Sequence, residues 1–239
     1  MTTTRFVTTH NILQLDATHP YAAKALTDAQ HMHRLIMSGF RGWVADGDTE
    51  PRAQMGILST WSIDLRSNNL LIVVQARVPA DWTTIPRAAL TQQPQRINVD
   101  QTIKADETFT LRTVISPTHD QAIGKADTDG QRTYRRRAHT NPDGVRQWLI
   151  PRLQQPGEPA TGPNGLRRIG ITTDLTTLGI RMLPPSVTDH HKNLRITRAE
   201  LKGTVTVTDP RAFTDALTHG LGRGRAYSCG LLLARPSPH

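Results

Sequence analysis

The sequence has one cysteine in 239 residues, few aromatic side chains and no long apolar run. The lone Cys229 excludes an intrachain disulfide, and there is no Cys/His spacing of the zinc-binding type. No apolar stretch is long enough to span a bilayer, and no charged-then-apolar leader opens the sequence, so we expect a soluble, cytoplasmic protein with no membrane association. Aromatic residues make up 5% of the chain, too few for a platform that stacks unpaired bases. That scarcity favours a folded or double-stranded nucleic acid read by charge and shape. No group of acidic residues resembles a two-metal nuclease site, so neither a metal nor another cofactor is expected.

Positive charge is abundant, and it is concentrated at one end. The formal net charge is +9. Residues 1–130 carry 12 Lys/Arg against 13 Asp/Glu, a balance of −1, and residues 131–239 carry 17 against 7, a balance of +10. Such a surface attracts polyanions and steers their approach. Of the 29 basic residues 24 are arginine, whose planar fork matches phosphate and the guanine edge.

The order of elements indicates an α+β protein. "RFVTTHNILQL" (5–15) reads as a strand. A helix follows, capped by Thr27 or Asp28, with Met32, Leu35, Ile36 and Phe40 at helical spacing and Gly39 or Gly42 as stops. "MGILSTWSIDL" and "LLIVVQARV" read as a hairpin through "RSNN", and "PADWTTIPRAAL" as a turn into a short helix. "TQQPQRINVDQ" reads as a linker. Beyond it come a strand (107–116), the basic loop "RTYRRR", and a helix near Pro142 with Val145, Trp148 and Leu149 on one face. Strand-like segments follow at 166–173, 178–183 and 193–207. Then comes a helix capped by Asp209, opened by Pro210 and closed by Gly220, and a last strand "LLLAR". This pattern predicts two tandem ferredoxin-like (RRM-like) domains with antiparallel sheets, over residues 1–92 and 93–239.

Between that helix and that strand lies "HGLGRGRAYSCGLLLAR" (219–235). Glycine lets the backbone approach a phosphate closely, and Arg223 and Arg225 add charged donors beside Gly222 and Gly224. A tight basic turn with no ligand fits the same residues. The segment is neither a dinucleotide fingerprint nor a P-loop.

"VTVTDPRAFTDALTHGLGRGRAYSCGLLLARP" closely resembles the C-terminal signature of the CasE family, the endoribonucleases that process precursor CRISPR RNA in type I-E systems. The family's form of the turn is "GIGRGRAFGCGLL". Further blocks are similar in the same order: "HMHRLIMSGF" to the family's first helix, "LLIVVQARVPADW" to a strand and turn, "FTLRTVISPT" to a later strand, and "RRRAHTNPDGVRQWLIPRL" to a basic stretch and helix. Two features depart from the pattern. Ser228 stands where the family usually has glycine. Gln30 and Ser38 stand where some relatives have a supporting tyrosine and lysine.

The resemblance implies a metal-independent endoribonuclease that cuts CRISPR repeat RNA beside its stem-loop by 2′-hydroxyl attack. It would then stay on the mature crRNA with the other Cascade subunits. A non-catalytic RNA-binding scaffold is the alternative. The implied proton-transfer residue is His33, as base or as acid, with Arg34, Ser38 and His31 as possible support. His31 points to a different helix face. For RNA binding we expect Arg135, Arg136 and Arg137 in the basic run, Gly222, Arg223, Gly224 and Arg225 in the turn, and Arg181, Lys192, Arg195 and Arg198 in a hairpin within 174–200.

Overall fold

In the computed structural model, which describes residues 2–45, 49–123, 133–188 and 194–237, the chain opens with a long strand, β1 (Thr3–Asp16). Two helices follow where the pattern predicts one. α1 (Pro20–Thr27) has a proline at its start and is capped by His19, whose ring accepts from the Tyr21 amide. Its buried residues are Ala22 and Ala25, too small a stripe to give a periodic signal. α2 (Ala29–Ser38) is the expected helix: Met32, Leu35 and Ile36 are buried, and the Asp28 carboxylate accepts from the Gln30 amide at 2.8 Å. It stops at Gly39, where a Cβ would collide with the Trp82 ring. α3 (Pro51–Gln54) is one turn, entered through Glu50 at a left-handed φ of 61°.

β2 (Leu58–Asp64) and β3 (Asn69–Ala76) form the expected hairpin. Asp64 closes it by accepting from the Arg66 amide and the Ser67 hydroxyl. The short helix expected after it is a single 3-10 turn at Arg87–Ala89. β4 (Leu90–Lys104) corrects the linker reading of "TQQPQRINVDQ". It pairs with β1 from Leu15 back to Thr3, and the boundary expected at residue 92 falls inside it. β4 is an edge strand on which only Ile103 is fully buried, so no apolar alternation marks it. Pro94 sits at a register shift of that edge, where a missing amide hydrogen does no harm.

The first sheet has the antiparallel order β2-β3-β1-β4. One face packs Leu13, Leu15, Leu70, Ile72 and Val74 against Met32, Leu35, Ile36 and Phe40. The second unit repeats the plan. β5 (Thr108–Ile115) leads to a separate hairpin of β6 (Thr118–Ile123) and β7 (Thr133–Ala138). The segment "TYRRRA", expected to be a loop, is therefore a strand. α4 (Pro142–Leu149) buries Val145, Trp148 and Leu149 as predicted. β8 (Ile171–Thr172) and β9 (Gly179–Thr188) pair in succession along one edge of β10 (Leu194–Val207). α5 (Pro210–His219) has Asp209 as its cap and ends at Gly220 with φ 77°, and β11 (Leu232–Pro236) closes the sheet on β5. The order is β11-β5-β10-β8, so both units are antiparallel α+β in the ferredoxin-like arrangement.

The two units share their packing. Phe6 of β1 and Ile103 of β4 lie in the second core, with Phe109, Trp148 and Phe213. Across the same boundary the buried Gln75 side chain of β3 donates to the Leu217 carbonyl of α5 at 2.9 Å. α5 is thereby held against the first sheet, and this fixes where the chain emerges at Gly220.

Candidate functional site

Beyond α5 the chain makes a sequence of left-handed turns. Gly220, Gly222, Gly224 and Gly230 all have φ between 75° and 91°, and each is crowded. A Cβ on Gly222 would meet the Trp148 ring at 3.0 Å, and one on Gly230 would lie 2.7 Å from the Leu221 carbonyl oxygen. The glycines are thus needed first for the chain path. Gly230→Ala combines a positive φ with a backbone clash, so we expect a loss of about 3 kcal/mol. Thermal denaturation checks this, and an unchanged melting temperature would contradict the packing described.

Ser228 replaces a glycine of the CasE pattern without abandoning its geometry. It adopts φ 59°, is fully buried, and its hydroxyl lies 3.1 Å from that of Ser59 on β2. Cys229 beside it is also fully buried, and burial pushes its thiol up to about 11, which makes it unreactive at neutral pH.

The turn at Arg225–Tyr227 lies against α2. There the half-buried His33 ring makes a hydrogen bond to the Ala226 backbone, while its Nδ1 is buried without a partner among the described residues. Burial holds the imidazole below its ordinary pKa, and the nearby Arg52 adds to this. Arg34 is exposed beside it. The other two candidates for support face elsewhere. His31 sits 3.7 Å from Asp28 at the start of the helix. The buried Ser38 hydroxyl donates to the Leu35 carbonyl at 2.8 Å and accepts from Thr84.

From the same turn Arg225 opens into a cleft of about 1040 Å³. Arg136, Arg152, Arg167, Arg168 and Arg223 line it as well, with His119, His139 and His219. Asp120 answers Arg136 at 3.4 Å, and Asp215 answers Arg167 at 3.8 Å. The cation excess remains large. Arg152 lies 3.7 Å over the Trp148 ring, and burial lowers its pKa to about 10. The His119 and His139 rings lie 4.4 Å apart, their planes tilted by 41°. Burial, the His119 ring and Arg152 all hold His139 low. Burial lowers Arg225 too, and the neighbouring Arg167 adds to it. Cations that raise one another's energy in this way are relieved by an anion.

The expected RNA-binding residues separate into groups. Arg136, Gly222, Arg223 and Arg225 line the cleft, and Gly224 belongs to its rim turn. Arg135 and Arg137 are exposed and stay out of the cleft, because alternate residues of β7 point to opposite faces. Arg181 and Arg195 are exposed on β9 and β10, away from the cleft, and Arg181 pairs with Glu200 at 2.8 Å. Arg198 is corrected: only 3% exposed, it stacks 4.1 Å over Trp61 of the first unit and has no surface to present. Lys192 lies outside the described residues. The sequence pattern does not single out Arg152, Arg167, Arg168 or the histidine pair. "GLRR" after the "PGEPATGPNG" turn is the one available sign. Among the described residues no group of three or more His, Cys, Asp or Glu gathers as for a metal ion, and no helix is long and apolar enough to cross a membrane.

The fold is thus a pair of ferredoxin-like units with an arginine-lined cleft, and the turn at the cleft's edge packs against His33. The chain belongs to the CRISPR-associated protein family, whose sequence model matches residues 11–236. Among solved structures it is similar to Thermus thermophilus Cse3 bound to an RNA representing a pre-cleavage complex, with TM-score 0.68, 17% identity, 97% of this chain and 100% of that chain covered. It is also similar to Cas6e from Escherichia coli K-12, with TM-score 0.63, 14% identity, 96% of this chain and 100% of that chain covered. A CRISPR endoribonuclease Cse3 bound to 19-nucleotide RNA matches at TM-score 0.64 and 18% identity, over 97% of this chain and 100% of that one. At these identities the likeness establishes the fold. Comparison with curated protein sequences finds no match.

Proposed function

We propose that the protein is a metal-independent endoribonuclease that cuts CRISPR repeat RNA beside its stem-loop. It then retains the mature crRNA in the cytoplasm as a subunit of a Cascade complex. The observation that carries this reading is the placement of His33 against the very turn that opens, through Arg225, into the arginine-lined cleft. The RNA-bound Cse3 endoribonucleases that share the fold support it.

The cleft grips the RNA backbone, and the reaction uses the RNA's own ribose. Burial holds the His33 imidazole below its ordinary pKa, which favours the neutral ring that a base requires, and base is the role this reading gives it. As RNA enters, the ring nitrogen that donates to the Ala226 carbonyl leaves that bond and, with the ring's own proton now carried on Nδ1, accepts the proton of the 2′-hydroxyl. The 2′-oxygen attacks the adjoining phosphorus, the bond to the 5′-oxygen breaks, and the 5′-oxygen takes a proton from solvent. The products are a 2′,3′-cyclic phosphate and a 5′-hydroxyl. Holding the reacting atoms in line supplies much of the acceleration. Arginines at the rim stabilise charge on the phosphorane.

The test is incubation of the purified protein with its cognate repeat RNA in EDTA. Cutting is expected to persist, to leave a cyclic phosphate, and to vanish when the scissile nucleotide is 2′-deoxy, with binding retained. Loss of cutting in EDTA removes the metal-independent mechanism. One observation favours the scaffold reading: Gln30 and the buried Ser38 offer no ionisable partner to His33. That reading predicts tight, salt-sensitive binding and intact RNA after long incubation.

A further inference from the structure

Arg52, on the short turn α3, has no place in the binding cleft, yet it is the charged side chain most closely tied to the site. Its Nη2 donates to the Arg225 carbonyl at 2.8 Å and to the Ser59 hydroxyl at 3.1 Å. Because Ser59 accepts there, its own hydrogen is free to go to Ser228, 3.1 Å away. One guanidinium thus joins β2 of the first unit to both ends of the turn that carries Ala226, the backbone partner of His33. The remaining donors are poorly served: Nε and Nη1 are buried with no hydrogen-bond partner among the described residues.

A residue that only tied the two units together would be better satisfied. Leaving buried charged donors unpaired costs stability, and the cost is large for an ion. Burial lowers Arg52 to about 10, so it remains a cation across the neutral range while being poorly solvated. Its charge acts on the His33 ring, which meets the same turn at Ala226. The cations acting on His33 are Arg52 from α3 and, more weakly, Arg34 from its own helix. The turn contributes only the Ala226 backbone, since the Arg225 side chain points into the cleft.

We propose that Arg52 is a positioning residue for the cleavage reaction: its guanidinium, bonded to the Arg225 carbonyl and to Ser59, fixes the turn against His33 and holds a positive charge beside that imidazole. The inference rests on the reading of His33 as base. Arg52 does not touch RNA. It acts through the imidazole, and it supplies part of what the missing tyrosine and lysine would supply elsewhere.

The direct measurement is an NMR titration of the His33 ring in the free protein, which requires no RNA. In Arg52→Gln, which keeps a donor for the Arg225 carbonyl but removes the charge, the His33 midpoint is expected to rise toward its ordinary value of about 6.5. In Arg52→Lys it is expected to stay near the wild-type value. In single-turnover cleavage the acidic limb of the pH–rate profile should move to higher pH in Arg52→Gln and hold in Arg52→Lys. A purely structural tether predicts the opposite grouping, with both variants losing rate equally at every pH and neither moving the midpoint. That outcome overturns the proposal.

If Arg52→Gln does not fold, the wild-type protein decides. Coupling is reciprocal, so the Arg52 guanidinium resonance must show an inflection at the His33 midpoint, and its absence overturns the proposal. Wild-type protein that fails to cut RNA sinks the catalytic reading and this proposal with it, whereas protein that cuts RNA while the Arg52 and His33 titrations are uncoupled sinks this proposal alone.

Discussion

His33→Ala is expected to slow single-turnover cleavage of repeat RNA by about 10²–10⁴-fold, the range of a positioned general base, while RNA affinity changes little. The asymmetry follows from the geometry. The imidazole lies under the 225–227 turn and not among the side chains lining the cleft, so its loss removes a proton acceptor and leaves the phosphate-binding arginines in place. Folding should survive as well, because the ring leaves Nδ1 buried without a partner and the substitution removes an unsatisfied polar atom. His31→Ala is the control. That side chain sits with Asp28 at the helix start, and no comparable loss is expected. Filter binding alongside gel-resolved cleavage checks both halves. Undiminished cutting by His33→Ala would remove the mechanism.

The second large effect concerns the cleft. Replacing Arg136, Arg167 and Arg223 together by alanine is expected to weaken repeat-RNA binding roughly 100- to 1000-fold, since hydrogen bonds to charged groups contribute about 1.5–3 kcal/mol each. It should also reduce the slope of log affinity against log salt by about 2 to 3, close to one for each phosphate that is no longer neutralised. Arg136 and Arg167 face Asp120 and Asp215 in the free protein, so part of each interaction with RNA is offset by breaking an ion pair. Exposed pairs of this kind contribute little, and the net loss stays large. Arg181→Ala with Arg195→Ala, equal in charge type but outside the cleft, should leave the slope near the wild-type value. Equal slopes for the two sets would mean that RNA is held somewhere other than the cleft.

Local chemistry is the legible part of this fold. Asp209, Pro210 and Gly220 mark α5 from end to end, because a cap, a fixed φ and a left-handed stop act on neighbours in sequence. The same holds for α2, with Asp28 and its buried stripe. β4 is illegible because an edge strand with Ile103 as its one fully buried residue shows no apolar alternation, and α1 because two alanines make no stripe. Arg198 misleads for a related reason. It follows a register shift on a strand whose second face is covered by Trp61 and Cys229, both distant in sequence.

The sequence by itself determined the α+β character of both halves, the basic second half and the glycine turn. Each is written in short-range spacing or in composition, whereas the choice of His33 on α2 comes from the family resemblance alone. Only the tertiary structure decided that Gln75 locks α5 onto the first sheet, that the turn after α5 consequently meets His33, and that Arg52 lies buried between them. These depend on which faces of two sheets come together. Burial and charge coupling arise between residues far apart along the chain, and no local pattern encodes them.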